Sequence, residues 1–277
     1  MPRVGVAATA PLGADVLERL AQEHEVAFLV TRPDRPRGRG RKVGAPPAKE
    51  AAERLGIDVR QPERLDESVD VGGVDAMVVA AYGALIPESL LEQTLWLNVH
   101  PSLLPRWRGA APVERALMAG DRETGVTIHR TILELDAGPI AAQRAFPIEP
   151  EDDAGSIFAQ AGAVAAELLA EVLSGPPQFR PQLEEDATYA ERLTPADREL
   201  DWNRSPMELL NRIRALSPHI GARGEVGGRV LTIWRAAPAG PESELVAGGL
   251  ELLEVQPEGR RRMSGEEYLR GLRGSGA

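Results

Sequence analysis

Residues 74 to 82 read VDAMVVAAY, a run that stays apolar at every position after Asp75. A strand with one wet face alternates apolar and polar residues. A strand that is apolar throughout needs cover on both faces, which is the lot of a central strand in a parallel sheet. Parallel strands cannot be joined by tight hairpins and require crossover connections. The start of the chain supplies one. Val4 to Ala8 is a short apolar strand, Leu12, Val16, Leu17 and Leu20 recur at helical spacing, and Glu25 to Thr31 is a second strand. Strand, helix and strand within some thirty residues form a βαβ unit with a right-handed crossover. A helix over 46–55 and a short strand over 57–59 continue the pattern. No G-x-G-x-x-G follows the first strand, which argues against a dinucleotide site. Gly83 to Pro87 follows the carboxyl end of the apolar run, where open α/β sheets hold their ligands.

The stretch from 95 to 147 carries the chemistry. Leu95-Trp96-Leu97 suits a buried strand, and Asn98 and His100 follow at alternate positions. Side chains two apart on a strand share a face. An amide and an imidazole therefore project together at a strand end. Pro101 and Pro105 bound a turn that excludes regular helix. Arg106-Trp107-Arg108-Gly109 comes next, then a helix over 110–118 with Pro112 in its first turn, closed by Gly120-Asp121. Thr124 to Leu133 alternates as a strand, and Leu135-Asp136-Ala137-Gly138 turns. Asp136 can meet His100 in space. Histidine titrates near neutrality, a carboxylate tunes it, and an amide can donate to a developing oxyanion. His24, His129 and His219 lack this context and read as structural or exposed.

Residues 154–173 form an alanine-rich amphipathic helix. Residues 181–198 are polar, lack a sustained period and read as a linker. Ser205-Pro206-Met207-Glu208 is a capping box that opens a helix to about Leu216. Gly224 to Arg235 predicts a hairpin turning at Gly227-Gly228, and Leu250 to Gln256 predicts another strand. The 13 residues from Ala237 to Gly249 leave room for at most one short strand, at about 3.3 Å per residue. Ser264-Gly265-Glu266-Glu267 caps a last short helix.

Net charge is −10, which by itself argues against a nucleic-acid partner. The sum hides an asymmetry. Residues 31–43 read TRPDRPRGRGRKV, with Arg32, Arg35, Arg37, Arg39, Arg41 and Lys42 against the single acid Asp34. Two prolines and two glycines predict a mobile loop without regular structure. Arginine suits phosphate, while a solvated linker is the bland alternative. Cysteine is absent, so disulfides and thiolate chemistry are excluded and a reducing compartment fits. The amino terminus lacks a signal-peptide core, and no run of about 20 apolar residues stands out, so a cytoplasmic chain without a membrane span is expected.

N-x-H, then SLLPRWRGAAP, then GD-x-ETGVTI, then LD-x-G resembles the 10-formyltetrahydrofolate-dependent formyltransferases, most nearly the branch that acts on methionyl-tRNA. The resemblance implies an α/β enzyme: a Rossmann-like, mostly parallel catalytic domain over 1–180, a linker over 181–200, and a smaller, shortened domain over 201–277 like an oligonucleotide-binding (OB) barrel. It implies Asn98, His100 and Asp136 as catalytic residues. Ser102, Leu103, Leu104, Pro105 and Ile86 would line the folate side, and Arg35, Arg37, Arg39, Arg41 and Lys42 would contact tRNA. The formyl donor would be 10-formyltetrahydrofolate, with no metal, and the partner initiator methionyl-tRNA bound by a monomer. Ala187 to Leu193 and Leu250 to Pro257 also follow the family pattern.

Two departures point elsewhere. The family turn after the first strand is replaced by Ala8-Thr9-Ala10-Pro11-Leu12-Gly13, and D-A-G stands where the tRNA enzymes carry D-T-G-D. The second departure, with the shortened end, favours the alternative substrate, a nucleotide-linked amino sugar. A non-catalytic RNA-binding relative is the third reading.

Overall fold

The computed structural model describes residues 2–37 and 42–274, excepting the side chains of Arg37, Lys42 and Gly274. Arg39 and Arg41 lie outside the described residues. The chain forms two compact units, one of Met1–Gly109, Thr124–Phe146 and Phe158–Tyr189, the other of Ala110–Glu123, Pro147–Ile157 and Ala190–Ala277.

In chain order the first elements are β1 (Arg3–Ala8), α1 (Pro11–Glu23), β2 (Glu25–Val30), β3 (Arg35–Arg37), β4 (Lys42–Gly44), α2 (Pro47–Leu55), β5 (Asp58–Arg60), β6 (Ala76–Ala80), α3 (Glu88–Leu91) and β7 (Leu95–His100). Then come β8 (Arg108–Gly109), α4 (Pro112–Ala119), β9 (Glu123–Arg130), β10 (Ile140–Pro147), α5 (Ala154–Leu173) and β11 (Tyr189–Ala190). The seven-stranded sheet runs β10-β9-β7-β6-β1-β2-β5. The apolar run at 76–80 is its middle strand, and all five residues are buried. Strands β5, β2, β1, β6 and β7 are parallel, whereas β9 lies antiparallel to β7. After β5 the chain returns to the other side of β1 to lay down β6, so the order reverses between those two strands. Their carboxyl ends form the switch point where α/β sheets hold ligands. There Ala10 N–H donates to the Ala81 carbonyl across 3.2 Å. One core cluster packs Phe28, Met77, Ile86, Leu90 and Trp96, and Trp96 Nε1 donates to Leu90 O at 2.8 Å.

Three expectations change. The cationic segment is not wholly irregular: β3 and β4 pair antiparallel, Arg35 with Gly44 and Arg37 with Lys42. Pro36, opposite Val43, is tolerated because a two-stranded ribbon asks for ladder donors on one side only. The ribbon is anchored at its base, where Arg32 Nη1 donates to Gly83 O and Lys49 pairs with Asp34 at 2.9 Å. Second, Ala154–Leu173 is long and apolar enough, by length and composition, to cross a membrane. Alanine supplies much of that apolarity. The helix hides Ala161, Ala165, Leu168, Leu169 and Val172 within the protein, and Arg144 of β10 pairs with its Glu167 and Glu171. Third, β10 falls where no strand is expected, and residues 181–198 hold two short 3₁₀ turns and β11.

The second unit continues with α6 (Pro206–Leu216), β12 (Ala222–Val226), β13 (Arg229–Pro238), β14 (Val246–Ala247), β15 (Leu250–Pro257), β16 (Met263–Ser264) and α7 (Gly265–Gly274). Ser205 Oγ accepts from Glu208 N–H, and the Glu208 carboxylate accepts from Ser205 N–H, closing the predicted box. The hairpin turns at Gly227 and Gly228, both at positive φ. The antiparallel sheet runs β12-β13-β15-β14, with β16 also on β15. Among the described residues no pairing joins its edges β12 and β14, so the sheet is open, and between β13 and β15 the chain adds only β14. Leu209, Ile213, Leu231, Ile233, Leu252 and Val255 fill its core.

Candidate active site

Asn98 and His100 end β7 on one face, as their spacing requires. Strand β9 sets His129 directly opposite Asn98, and Thr127 opposite His100. The loop between β9 and β10 brings in Asp136. The three predicted groups therefore meet, all in the first unit. Asn98 Nδ2 donates to Asp136 Oδ1 at 3.1 Å. His100 Nδ1 lies 3.5 Å from Asp136 Oδ2. His129 is part of the same cluster: its Nε2 is 3.1 Å from Asn98 Nδ2 and 3.5 Å from Asp136 Oδ1. The sequence contained one usable signal for it, a histidine two positions after Thr127 on an alternating strand.

The contacts fix the polarity of each group. His129 Nδ1 donates to Arg130 O at 3.0 Å, so its Nε2 is the acceptor for Asn98. Both Asn98 N–H hydrogens are then committed, one to Asp136 and one to His129. Its carbonyl oxygen takes no hydrogen bond among the described residues, so the expected oxyanion donation requires one of those bonds to be given up. A flipped amide would set that oxygen against the Asp136 carboxylate, which rules out the other assignment. His100 Nε2 donates to Trp107 O at 2.8 Å. The lone pair of neutral His100 is thus on Nδ1, facing Asp136.

Asp136 is only 8% exposed. Burial raises its carboxyl, but the positive charge that His100 and His129 carry when protonated, and the Gly109 N–H, which donates to Oδ2 at 2.8 Å, outweigh it and hold the pKa at about 2. Asp136 is therefore ionised at neutral pH. Burial depresses His100 below its ordinary 6.5, against the pull of Asp136, with His129 adding to the depression. A neutral imidazole thus stands beside a fixed negative charge.

The backbone is strained around this cluster. Among the described residues, the non-glycine positions at positive φ are Ala81 (47°), Trp107 (64°) and Asp136 (51°). Each such residue costs on the order of 1 kcal/mol and persists only where its surroundings hold it. Ala81 follows β6, Trp107 presents the carbonyl that accepts the hydrogen bond from His100 Nε2–H, and Asp136 is the acid itself. Gly138 closes the loop against β9, and a Cβ there would overlap the carbonyl oxygen of Arg130.

Residues assigned to the folate side are placed unevenly. The Ser102 hydroxyl is buried and donates to Arg106 O at 2.7 Å, so it braces the loop. Leu104 is buried, and its N–H donates to Thr127 Oγ1 at 3.1 Å. Leu103 and Pro105 are half-buried. Ile86 belongs to the core cluster, and the large apolar side chain its loop offers to solvent is Leu85, 78% exposed. Arg35 is exposed on the β3–β4 ribbon, of which Arg37 and Lys42 form the last described pair. Among the described residues no cluster of three His or acidic side chains is arranged to hold a metal ion.

An amide, an imidazole and a buried carboxylate at the carboxyl end of a parallel sheet form a proton-handling site without a nucleophile of its own. Comparison with known proteins bears on what it handles. The family described as Formyl transferase matches residues 4–173, and its C-terminal domain matches residues 192–249. Methionyl-tRNA formyltransferase of Methylococcus capsulatus is 39% identical over 295 residues, covering 96% of each chain. Among solved structures, methionyl-tRNA formyltransferase from Clostridium thermocellum superposes with a TM-score of 0.65 at 16% identity, over 96% of this chain and 100% of that one. HypX from Aquifex aeolicus in complex with tetrahydrofolic acid gives 0.68 at 19% identity over 97% of this chain, which spans 47% of HypX. At such identities the structures attest the fold. The family matches and the curated relative go further: this chain belongs to the formyl transferase family.

Proposed function

We infer that this protein transfers a formyl group from 10-formyltetrahydrofolate to the amino group of methionyl-tRNA, in service of translation initiation. The observation that carries the reading is the convergence of Asn98, His100 and Asp136 in a chain 39% identical, over 96% of its length, to an enzyme of that name. The open sheet end beside β6 and β7, with Leu85, Leu103 and Pro105 around it, suits a flat folate-type donor. The β3–β4 ribbon, with Arg35 exposed on it and Arg37, Arg39, Arg41 and Lys42 in its sequence, suits a phosphate backbone. We read 1–180 as the catalytic part and 201–277 as an OB-like part that aids tRNA binding, joined by 181–200, in a cytoplasmic monomer.

In the reaction the neutral amine adds to the formyl carbon, the bond from that carbon to N10 breaks, and the proton released by the amine goes to N10. The residues accomplish three tasks. Asn98 accepts an amine N–H on its carbonyl oxygen. It also meets the developing oxyanion by exchanging its His129 bond for one to the new charge. His100 takes the amine proton on Nδ1, where the ionised Asp136 stabilises the imidazolium, and returns it to N10. Asp136, ionised at neutral pH, faces that ring from 3.5 Å. Its work is electrostatic and positional.

Formyl transfer to charged methionyl-tRNA, assayed beside a nucleotide-linked amino sugar, tests the reading. Product on the tRNA alone is expected; product on the sugar alone would overturn it. The sugar is kept as the second reading because of Asp136-Ala137-Gly138, where the tRNA enzymes carry a threonine and a further acid.

A further inference from the structure

Gln182 lies in the segment that reads as linker, 46 positions from Asp136. Its Nε2 donates to two carbonyl oxygens of the acid loop, Asp136 O at 2.7 Å and Gly138 O at 2.8 Å. Its Oε1 accepts from Arg108 Nε at 3.0 Å. Arg108 is 1% exposed and ion-paired with Glu184 at 2.9 Å. The residue after it, Gly109, donates its N–H to Asp136 Oδ2. These contacts close a ring. Asp136 is gripped at its backbone by Gln182 and at its carboxylate by Gly109, and Arg108 joins the two grips.

We propose that Gln182 is a positioning residue for the transfer reaction, holding Asp136 in its left-handed backbone so that the carboxylate faces His100 and Asn98. The proposal rests on the activity inferred above. Its physical basis is the strain at Asp136. A non-glycine residue at φ 51° relaxes to negative φ unless something prevents it. That relaxation would turn the Asp136 and Gly138 carbonyls and swing the carboxylate off its partners. Gln182 has two N–H hydrogens and spends one on each carbonyl, which opposes that turn directly. Arg108 in turn fixes which end of the Gln182 amide points at the loop, because only the oxygen can face a guanidinium. The segment from 182 to 184 is thus a strut that reaches the site through the backbone carbonyls of Asp136 and Gly138.

The test uses the full chain with Gln182→Ala and Gln182→Glu. Glutamate keeps the length and the Arg108 partner but presents an oxygen to the two carbonyls. Two readouts are taken. One is kcat and KM for formyl transfer to methionyl-tRNA. The other is the titration midpoint of the His100 ring followed by NMR, which needs no substrate. Both variants are expected to lose kcat by about 10- to 100-fold with KM changed less than about threefold. In both, the His100 midpoint should move to lower pH as the carboxylate that raises it withdraws. A His100 midpoint unchanged in the folded variants overturns the proposal, and so does loss of the fold in both, which would make Gln182 a structural residue only. A wild-type chain inactive on methionyl-tRNA whose variants still shift His100 would sink the substrate reading while leaving the strut in place.

Discussion

Asn98 donates to Asp136 across 3.1 Å although 38 positions separate them, and the same amide nitrogen donates to His129. Each of those two bonds needs an amide hydrogen, so no isosteric acid can replace Asn98. Asn98→Asp would set a second carboxylate against an already buried one. The pair cannot ionise together, and one carboxyl must keep a proton. We predict that kcat for formyl transfer falls by at least about 100-fold, with KM for tRNA nearly unchanged. Steady-state kinetics read this directly, and a loss of only a few fold would remove Asn98 from the chemistry.

Acidification should weaken the fold through the same site. The Asp136 carboxyl lies at about 2, below its ordinary 3.8. A depressed folded pKa means that the unfolded chain binds the proton more readily. The associated stability is complete above 3.8 and is lost as the pH falls toward 2. The shift corresponds to about 2 kcal/mol. His100, also depressed, acts in the same direction beginning below 6.5. Urea unfolding of wild type and Asp136→Asn at pH 7 and at pH 3 should show the variant less sensitive to acid. Equal sensitivity would contradict the buried, ionised carboxylate.

Gly138→Ala should fail for a steric reason, since its Cβ would run into the Arg130 carbonyl. Backbone cannot yield there without displacing the acid loop from β9. The expected cost is at least about 2 kcal/mol of stability, with activity reduced further because Asp136 moves. A denaturation midpoint within error of wild type would show that the loop is looser than the structure implies.

The β3–β4 ribbon gives a prediction about salt. Arg35→Ala, Arg37→Ala and Lys42→Ala combined should weaken use of methionyl-tRNA while folate binding is retained. The slope of log affinity against log salt should flatten by about one for each phosphate that is no longer neutralised. Unchanged tRNA kinetics across a salt series would leave these cations without that role.

Much of the fold is legible in the sequence because local patterns carry it. Residues 76–80 have no polar position to turn toward water, and they form the middle strand. Ser205 and Glu208 make the box that their spacing announces, and Gly227-Gly228 turns the hairpin. Strand β10 is hidden because Ala141, Ala142, Gln143 and Arg144 show no alternation of the kind that marks a half-buried strand. The β3–β4 pairing is hidden by Pro36, whose missing N–H tells against a strand only when both sides need donors. Helix α5 is plain from its spacing, but its alanines conceal how apolar it is.

For the site, the amino-acid sequence by itself determined that Asn98 and His100 share a face, because a two-residue step on a strand permits nothing else. It placed an acid and a glycine together on a loop at 136 and 138. Only the tertiary structure decided that His129 stands opposite Asn98, that Gly109 N–H reaches Asp136, and that Gln182 returns to brace the loop. Those contacts are hydrogen bonds between segments far apart in the chain. They depend on strand register and on how β10 and the 181–190 segment come back to the sheet, and no local periodicity encodes either.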